Sequence, residues 1–195
     1  FMSLVNKILN KIIGEYKSLI FFFISSYPDS TLGKFIRKKY WINRLNRCGN
    51  NPDFHANSSI GYPEKIEIGD NFMISNNAHI TAIGSKGIYI GDNVGIGRGS
   101  YLHAAFHKTK KTDVPMRLQG VESEDIEYKG NNFSIIIEDD VLIGSNVVIL
   151  SGSKIGKGCL ISPGSVVSGI IPPYSILAGN PARVSKNRKN DENNE

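Results

Sequence analysis

Four histidines, His55, His79, His103 and His107, are the side chains in this sequence best suited to moving a proton near neutral pH. A neutral imidazole, with an ordinary pKa of about 6.5, can take the proton of a weakly acidic hydroxyl as that hydroxyl attacks. Covalent catalysis has less to draw on. No GxSxG elbow presents a serine, and neither Cys48 nor Cys159 stands in an activating context. A metal centre needs at least three convergent ligands. His103 and His107 fall in different phases of the repeat described next, and His79 and His107 on different faces of it, so no metal site is expected. His107 is the leading base because it is the last residue before a long stretch without repeat, where a ring can face a cleft roofed by a loop. His103 is second, as a helper of His107 or part of an acceptor pocket. His55 and His79 are read as structural.

The element that must position these groups is a six-residue repeat. In 137–172, Ile137, Ile143, Ile149, Ile155, Ile161 and Val167 fall one hexad apart, and Val141, Val147, Ser153, Cys159 and Ser165 follow at the fourth place. This period is neither 3.6 nor 2, so it suits a short strand plus a corner rather than an amphipathic helix or a two-faced strand. The same pattern runs through Ile68, Ile74 and Ile80, with Phe72, Ala78 and Gly84 in the second inward slot. It runs again through Ile90, Ile96 and Leu102, with Val94, Ser100 and Phe106. Four 18-residue coils follow: 68–85, 90–107, 137–154 and 155–172. Residues 48–67 read as an irregular first coil. The 20 glycines suit a fold of many corners, where positive φ costs least for Gly and is tolerable for Asn and Asp.

Three segments lie outside the repeat. Residues 1–47 hold nine Lys or Arg against two Asp or Glu, and Leu4, Ile8, Leu9, Ile12 and Ile13 recur at helical spacing. A basic, apolar helical pair of this kind either lies on an anionic membrane surface or packs on the end of the repeat. The apolar run Leu19 to Ile24 is far short of the roughly twenty residues a span needs. Phe1 is taken as a cloning remnant. No signal peptide is evident, and no nucleic-acid reader motif accompanies the charge. The second segment is the inserted loop 108–136; so long an excursion in a compact repeat is functional or disordered. The third, 173–195, begins where Pro172 and Pro173 are expected to stop the coil. It carries Arg183, Lys186, Arg188 and Lys189, and ends in a polar tail, 190–195, expected to be disordered. Two cysteines make no disulfide framework, and point to a reducing, cytoplasmic setting, with membrane association through residues 3–47 left open.

The segment GIGRGSYLHAAFH (95–107), the following VPMRLQG (114–120), the resumption IIIEDDVLIGSNVVIL and the terminal PPYSILAGNPARV resemble the hexapeptide-repeat acyltransferases, in particular their sugar and xenobiotic O-acetyltransferases. The resemblance covers residues 60–186. It implies an all-β left-handed parallel β-helix, carrying here an N-terminal helical segment. It also implies acetyl transfer from acetyl-CoA to a hydroxyl of a sugar or surface polysaccharide, by direct attack with His107 as base. The backbone N–H of Ser145 would hold the oxyanion, from a neighbouring subunit of a homotrimer. Arg183 and Lys186 match positions that meet the donor's nucleotide, and Ser145 and Pro163 border its pantetheine arm. His103, Met116 and Gln119, with Arg117 beside them, would shape the acceptor pocket. The sequence departs from the family pattern at Leu142, a common Trp, at Pro163, usually Ala, and at Ser168-Gly169-Ile170, often Thr-Lys-Asp. Amino-sugar N-acetylation and acetylation of a xenobiotic are alternative activities. A catalytically silent β-helix scaffold is the non-enzymatic one. The zinc-dependent gamma carbonic anhydrases share the fold, but the NPA-R-V ending has no role in that chemistry.

Overall fold

The computed structural model describes residues 2–191. Three faces of parallel strands wind into a β-helix. Its coils are Arg47–Cys48, Asp53–Phe54, Ser59–Gly61; Ile66–Ile68, Met73–Ile74, His79–Thr81; Ile88–Ile90, Gly95–Ile96, Tyr101–His103; Ile135–Ile137, Leu142–Ile143, Val148–Leu150; Ser153–Ile155, Leu160–Ile161, Val166–Val167; and Ile170–Ile171, Ser175–Gly179. The hexad isoleucines stack in register: Ile68, Ile90, Ile137, Ile155 and Ile171 on the first face, Ile74, Ile96, Ile143, Ile161 and Leu177 on the second, and Ile80, Leu102, Ile149 and Val167 on the third. All but Ile171 are fully or almost fully buried, each contributing about 1.5–3 kcal/mol of apolar burial. Serines reach the second inward slot because each returns its hydroxyl to backbone: Ser100 to the Gly144 carbonyl at 2.8 Å, Ser165 to Ser162 at 2.7 Å, Ser175 to Pro172 at 2.8 Å.

The corners explain the polar half of the repeat. Three residues after the first-face inward residues Cys48, Ile68, Ile90, Ile137, Ile155 and Ile171, positive φ recurs at Asn51, Asn71, Asn93, Asp140, Gly158 and, as the one exception in residue type, Tyr174; after the second face it recurs at Asn57, Asn77, Gly99, Asn146 and Gly164. Only Gly, Asn and Asp adopt that conformation cheaply. The first corner is also stitched by carboxylates: Asp70 accepts the Asn50 N–H, Asp92 the Asp70 N–H and Asp139 the Asp92 N–H, at 2.7 to 3.0 Å.

Several boundaries shift. The irregular first coil is regular enough to pair, Cys48 with Ile68, Phe54 with Ile74, Ile60 with Ile80. Pro172-Pro173 do not end the repeat, because Ser175–Gly179 pairs parallel with Leu160–Ile161 before the chain turns back as the antiparallel strand Ala182–Asn187. Gly84 and Phe106 are not inward. Ala82 and Ala104 fill those places, fully buried, while Phe106 is exposed, since the chain leaves the third face two residues sooner than a strict hexad requires. The insertion is ordered. Phe106–His107 pairs antiparallel with Val121–Glu122, and the hairpin Ile126–Tyr128/Asn131–Phe133 folds over the first face, packing Tyr128 and Phe133 on Tyr89 and Ile136.

At the N-terminus, α1 (Met2–Ser26) and α2 (Thr31–Ile42) form the helical pair, Ser30 capping α2 by accepting the Gly33 N–H at 3.1 Å. α2 closes the open end of the coil stack, with Trp41 and Leu45 joining the core over Phe54. α1 behaves otherwise. Its side chains from Lys11 to Ile20 face solvent, and its last turns touch α2 through Phe21 on Tyr40 and Trp41. Among the described residues no helix is long and apolar enough to cross a membrane. Arg188–Asp191 is a helical turn, and 192–195 of the expected tail lie outside the described residues.

Candidate active site

His107 sits on the first short strand of the insertion, opposite Val121, with its ring exposed. The hairpin is held at its base by the Lys108 N–H donating to the Gly120 carbonyl at 3.1 Å. Two further histidines lie on the outer surface of the third face. His79 of the second coil and Tyr101 of the third are register partners, and Tyr101 and His103 are two apart on one strand, so all three project from the same side. Their rings stack with centroids 5.0 and 5.1 Å apart. Burial, with the charge of His107 second, pulls the His103 pKa below the ordinary imidazole value; burial, then His103, does the same to His79. Ser59 hydrogen-bonds His79 Nδ1. His79 is therefore half-buried in an aromatic row that leads to His103 and on to His107, a link the hexad phase did not reveal. The signal was present: positions 79 and 101 are one coil apart, and 101 and 103 alternate on one strand. His55 is structural, lying 3.2 Å from Asp29 and 3.3 Å from Asp53.

Ser145 occupies the corner between the second and third faces, in the row Asn76, Arg98, Ser145, Pro163 set by the strand register. Its carbonyl accepts the Gly164 N–H at 2.9 Å, while among the described residues its own N–H has no acceptor. Glycine beneath it is obligatory. A Cβ on Gly97 would stand 2.7 Å from the Ser145 nitrogen, and one on Gly144 equally close to the Pro163 nitrogen. Pro163 is exposed and, as proline, offers no donor.

Within one chain these groups do not meet. His107 lies past the far edge of the third face and Ser145 at its near edge, with the strand Tyr101–His103, about 10 Å of extended chain, between their rows. Arg183 and Lys186 are exposed on the returning strand Ala182–Asn187, beyond the last coil of the second face. Met116 is exposed on a 3-10 turn, Met116–Leu118. Gln119 does something other than line a pocket with a free amide. Its Nε2 donates to the carbonyls of Lys111 and Val114, both at 2.7 Å, and its Oε1 accepts the Lys111 N–H at 3.1 Å, so it clasps the insertion closed. Beside it a cavity of about 350 Å³ is lined by Lys108, Lys110, Lys111, Val114, Leu118, Gln119 and Glu122. Among the described residues no cluster of His, Cys, Asp and Glu could hold a metal ion.

The sequence model of the bacterial transferase hexapeptide (six repeats) matches residues 134–169. A 2,3,4,5-tetrahydropyridine-2,6-dicarboxylate N-acetyltransferase of Staphylococcus aureus is 50% identical over 52 residues, 27% of this chain; the match spans only 22% of that relative's length. Similarity to solved structures runs through most of the chain. A galactoside acetyltransferase in complex with coenzyme A superposes with a TM-score of 0.72 at 26% identity, covering 90% of this chain and 80% of its own. A maltose O-acetyltransferase from Clostridium difficile 630 gives 0.70 at 25%, covering 89% and 84%. A hexapeptide-repeat acetyltransferase from Vibrio cholerae O1 biovar eltor, complexed with acetyl coenzyme A, gives 0.65 at 26%, covering 85% and 81%. Residues 134–169 thus carry the hexapeptide repeat, and the chain is built like the hexapeptide-repeat acetyltransferases, galactoside and maltose O-acetyltransferases among them.

Proposed function

We propose that this chain is an acyltransferase that moves an acetyl group from acetyl-CoA to a saccharide hydroxyl, with His107 as the general base. The observation that carries the reading is the placement of an exposed imidazole on the strand by which the chain leaves the repeat, under an ordered insertion, in a fold shared with acetyltransferases. The hydroxyl oxygen attacks the thioester carbonyl carbon while His107 takes its proton. The tetrahedral oxyanion accepts a hydrogen bond from the Ser145 N–H of a neighbouring subunit, since the two groups stand at opposite edges of one face in a single chain. Collapse breaks the C–S bond, and the imidazolium returns the proton to the departing thiolate. Arg183 and Lys186 are exposed cations suited to the donor's phosphates. A homotrimer, which brings one chain's insertion against the next chain's corner, is part of this reading; light scattering tests it directly.

Replacing His107 with Ala is expected to lower coenzyme A release at least about a hundredfold with the circular dichroism spectrum unchanged. Near-normal turnover would remove His107 from the mechanism. Acylation of an amine is the second reading, favoured by the N-acetyltransferase identity of the Staphylococcus aureus relative; a pair of acceptors differing only in hydroxyl or amine separates the two. α1 adds a location to the proposal. It carries Ile12, Ile13, Tyr16, Leu19, Phe22 and Phe23 in the open together with Lys11 and Lys17, a combination that suits an anionic lipid surface and a polysaccharide precursor made there. Flotation with anionic but not zwitterionic liposomes is the expected result.

A further inference from the structure

We infer that copies of this chain assemble through the outer surface of the third face, turned toward a common axis, and that acid opens the assembly by placing charge on His79 and His103. The inference rests on the acyltransfer reading, in which His107 of one copy meets Ser145 of the next. It adds the surface that joins the copies and the condition that parts them. His107 and Ser145 stand at opposite edges of the third face. When three copies surround an axis with that face inward, the far edge of each face lies beside the near edge of the next, and the ring closes. Turning either other face inward sets one of the two groups beside the corner between the first and second faces instead.

The composition of the third face points the same way. Its strands carry no Asp, Glu, Lys or Arg, whereas the first face holds Arg47, Glu67 and Lys154 and the second Asp53, Arg183 and Lys186. Val148 and Val166 continue the outward row of His79 and Tyr101, and Leu150, 39% exposed, follows His103 in the next row. A surface depleted of charge, with tyrosine and aliphatic side chains in its place, has the make-up of an interface core.

The two imidazoles set the acid limit of this surface. The groups that face them are Ser59, Tyr101, each other, and His107 beside His103. The charged side chains flanking the face are Arg98 at one edge and Lys108 and Glu122 past the other. An inward third face meets other third faces, which bring the same groups and no carboxylate to pair with an imidazolium. Burial within one chain already lowers both pKa values, and burial between copies lowers them further. Below the ordinary imidazole value of about 6.5, separated chains therefore bind more protons than the assembly, and falling pH favours separation.

The test weighs the full chain by light scattering at about pH 7.5 and about pH 5.5, either side of the imidazole range, with circular dichroism to follow folding. The proteins are the wild type, Leu150→Glu, the double variant His79→Phe with His103→Phe, and Ile170→Glu, which puts the same charge on the first face at a position 73% exposed. Expected is a wild-type trimer at the higher pH and a folded monomer at the lower. Leu150→Glu should be monomeric at both, the double variant trimeric at both, and Ile170→Glu should follow the wild type. A wild type monomeric at about pH 7.5, or a trimeric Leu150→Glu, overturns the surface assignment. A wild-type trimer that survives acid, or a double variant that comes apart as the wild type does, overturns the part given to the imidazoles. The wild-type and double-variant masses decide this whether or not Leu150→Glu folds. Coenzyme A release at about pH 7.5 keeps the two readings apart: a folded Leu150→Glu monomer should lose about a hundredfold, as for a missing oxyanion donor. A monomer as active as the wild type strikes the shared-site mechanism, while its mass still supports the interface.

Discussion

Val121 rests on Gly84: a Cβ built on that glycine would lie 2.3 Å from Val121 Cγ2. Val121 is the register partner of His107. The strand paired with the one that carries the candidate base is therefore seated on the second coil at a position with no side chain. Gly84 also has φ of +62°, a conformation L-residues pay to adopt.

Gly84→Ala is expected to be harmful on both counts. The positive φ costs about 1 kcal/mol, and the new methyl pushes Val121 outward, carrying the hairpin and His107 with it. Coenzyme A release should fall at least tenfold, more than the modest drop in urea midpoint explains, because general-base catalysis depends on hydrogen-bond reach. Val121→Ala in the same protein makes room for the methyl and should restore part of the rate. Kinetics and urea denaturation on the single and double variants check this.

Ser145→Pro tests the oxyanion assignment without opening the corner. Pro163 already occupies the same row one coil on, above a glycine whose relation to it repeats that of Gly97 to Ser145. The backbone there accepts a proline, so the substitution removes one N–H and little else. Turnover should fall about 100- to 1000-fold, the loss typical of one oxyanion donor, while melting temperature and acetyl-CoA affinity stay near wild type. An unimpaired rate would show that the amide of Ser145 is not used.

The coil stack was legible because its signal is periodic. Ile68, Ile90, Ile137 and Ile155 can be aligned by counting, and the Asn and Gly corners follow from φ alone. What counting missed is where the chain abandons the period. Phe106 keeps the hexad spacing yet faces solvent, because the insertion begins to leave after His103 and strand pairing with Glu122 outweighs burial of one ring. Likewise Pro172-Pro173 read as a stop, but the corner after Val167 is two residues short, Gly169 turning it with φ of +82°, so the prolines fall in a corner and the ladder continues. His107 could be singled out by its place before the insertion. The His79–Tyr101–His103 row was legible only once the coils were set in register, and the Gln119 clasp depends on side-chain contacts within a loop, which no local pattern encodes.

Arg37 is expected to be the most sensitive polar residue in the chain. It is fully buried beneath α2, donating from Nε to the Phe54 carbonyl at 2.7 Å, from Nη1 to the Tyr27 carbonyl at 2.6 Å and from Nη2 to Asp29. Asp29 in turn accepts the Ala56 N–H at 2.7 Å and an Asn76 amide N–H at 2.6 Å. Arg37→Ala leaves two carbonyls and a carboxylate short of donors and should cost about 3–5 kcal/mol. Arg37→Lys keeps the charge but only part of the fork, and should recover less than half of that loss. Chemical denaturation of both variants gives the comparison.

Acidification should loosen the third face before the rest of the helix. The His79 and His103 pKa values are both lowered, chiefly by burial, so the folded protein holds these rings neutral where the unfolded chain would protonate them. At a pH below about 6.5, the ordinary imidazole value, the unfolded state binds more protons, and stability therefore falls as pH drops through the unfolded and then the folded pKa. Above that value the contribution is fully present. The melting temperature should hold steady from pH 8 to 7 and decline from pH 6.5 to 5. His79→Phe keeps the ring stack on Tyr101, removes the titrating group and gives up the bond to Ser59. That variant should melt lower at pH 7.5 yet lose less than wild type between pH 7 and 5. A decline as steep as wild type would assign the acid sensitivity to other groups, such as the Asp29 carboxyl, whose lowered pKa also favours higher pH.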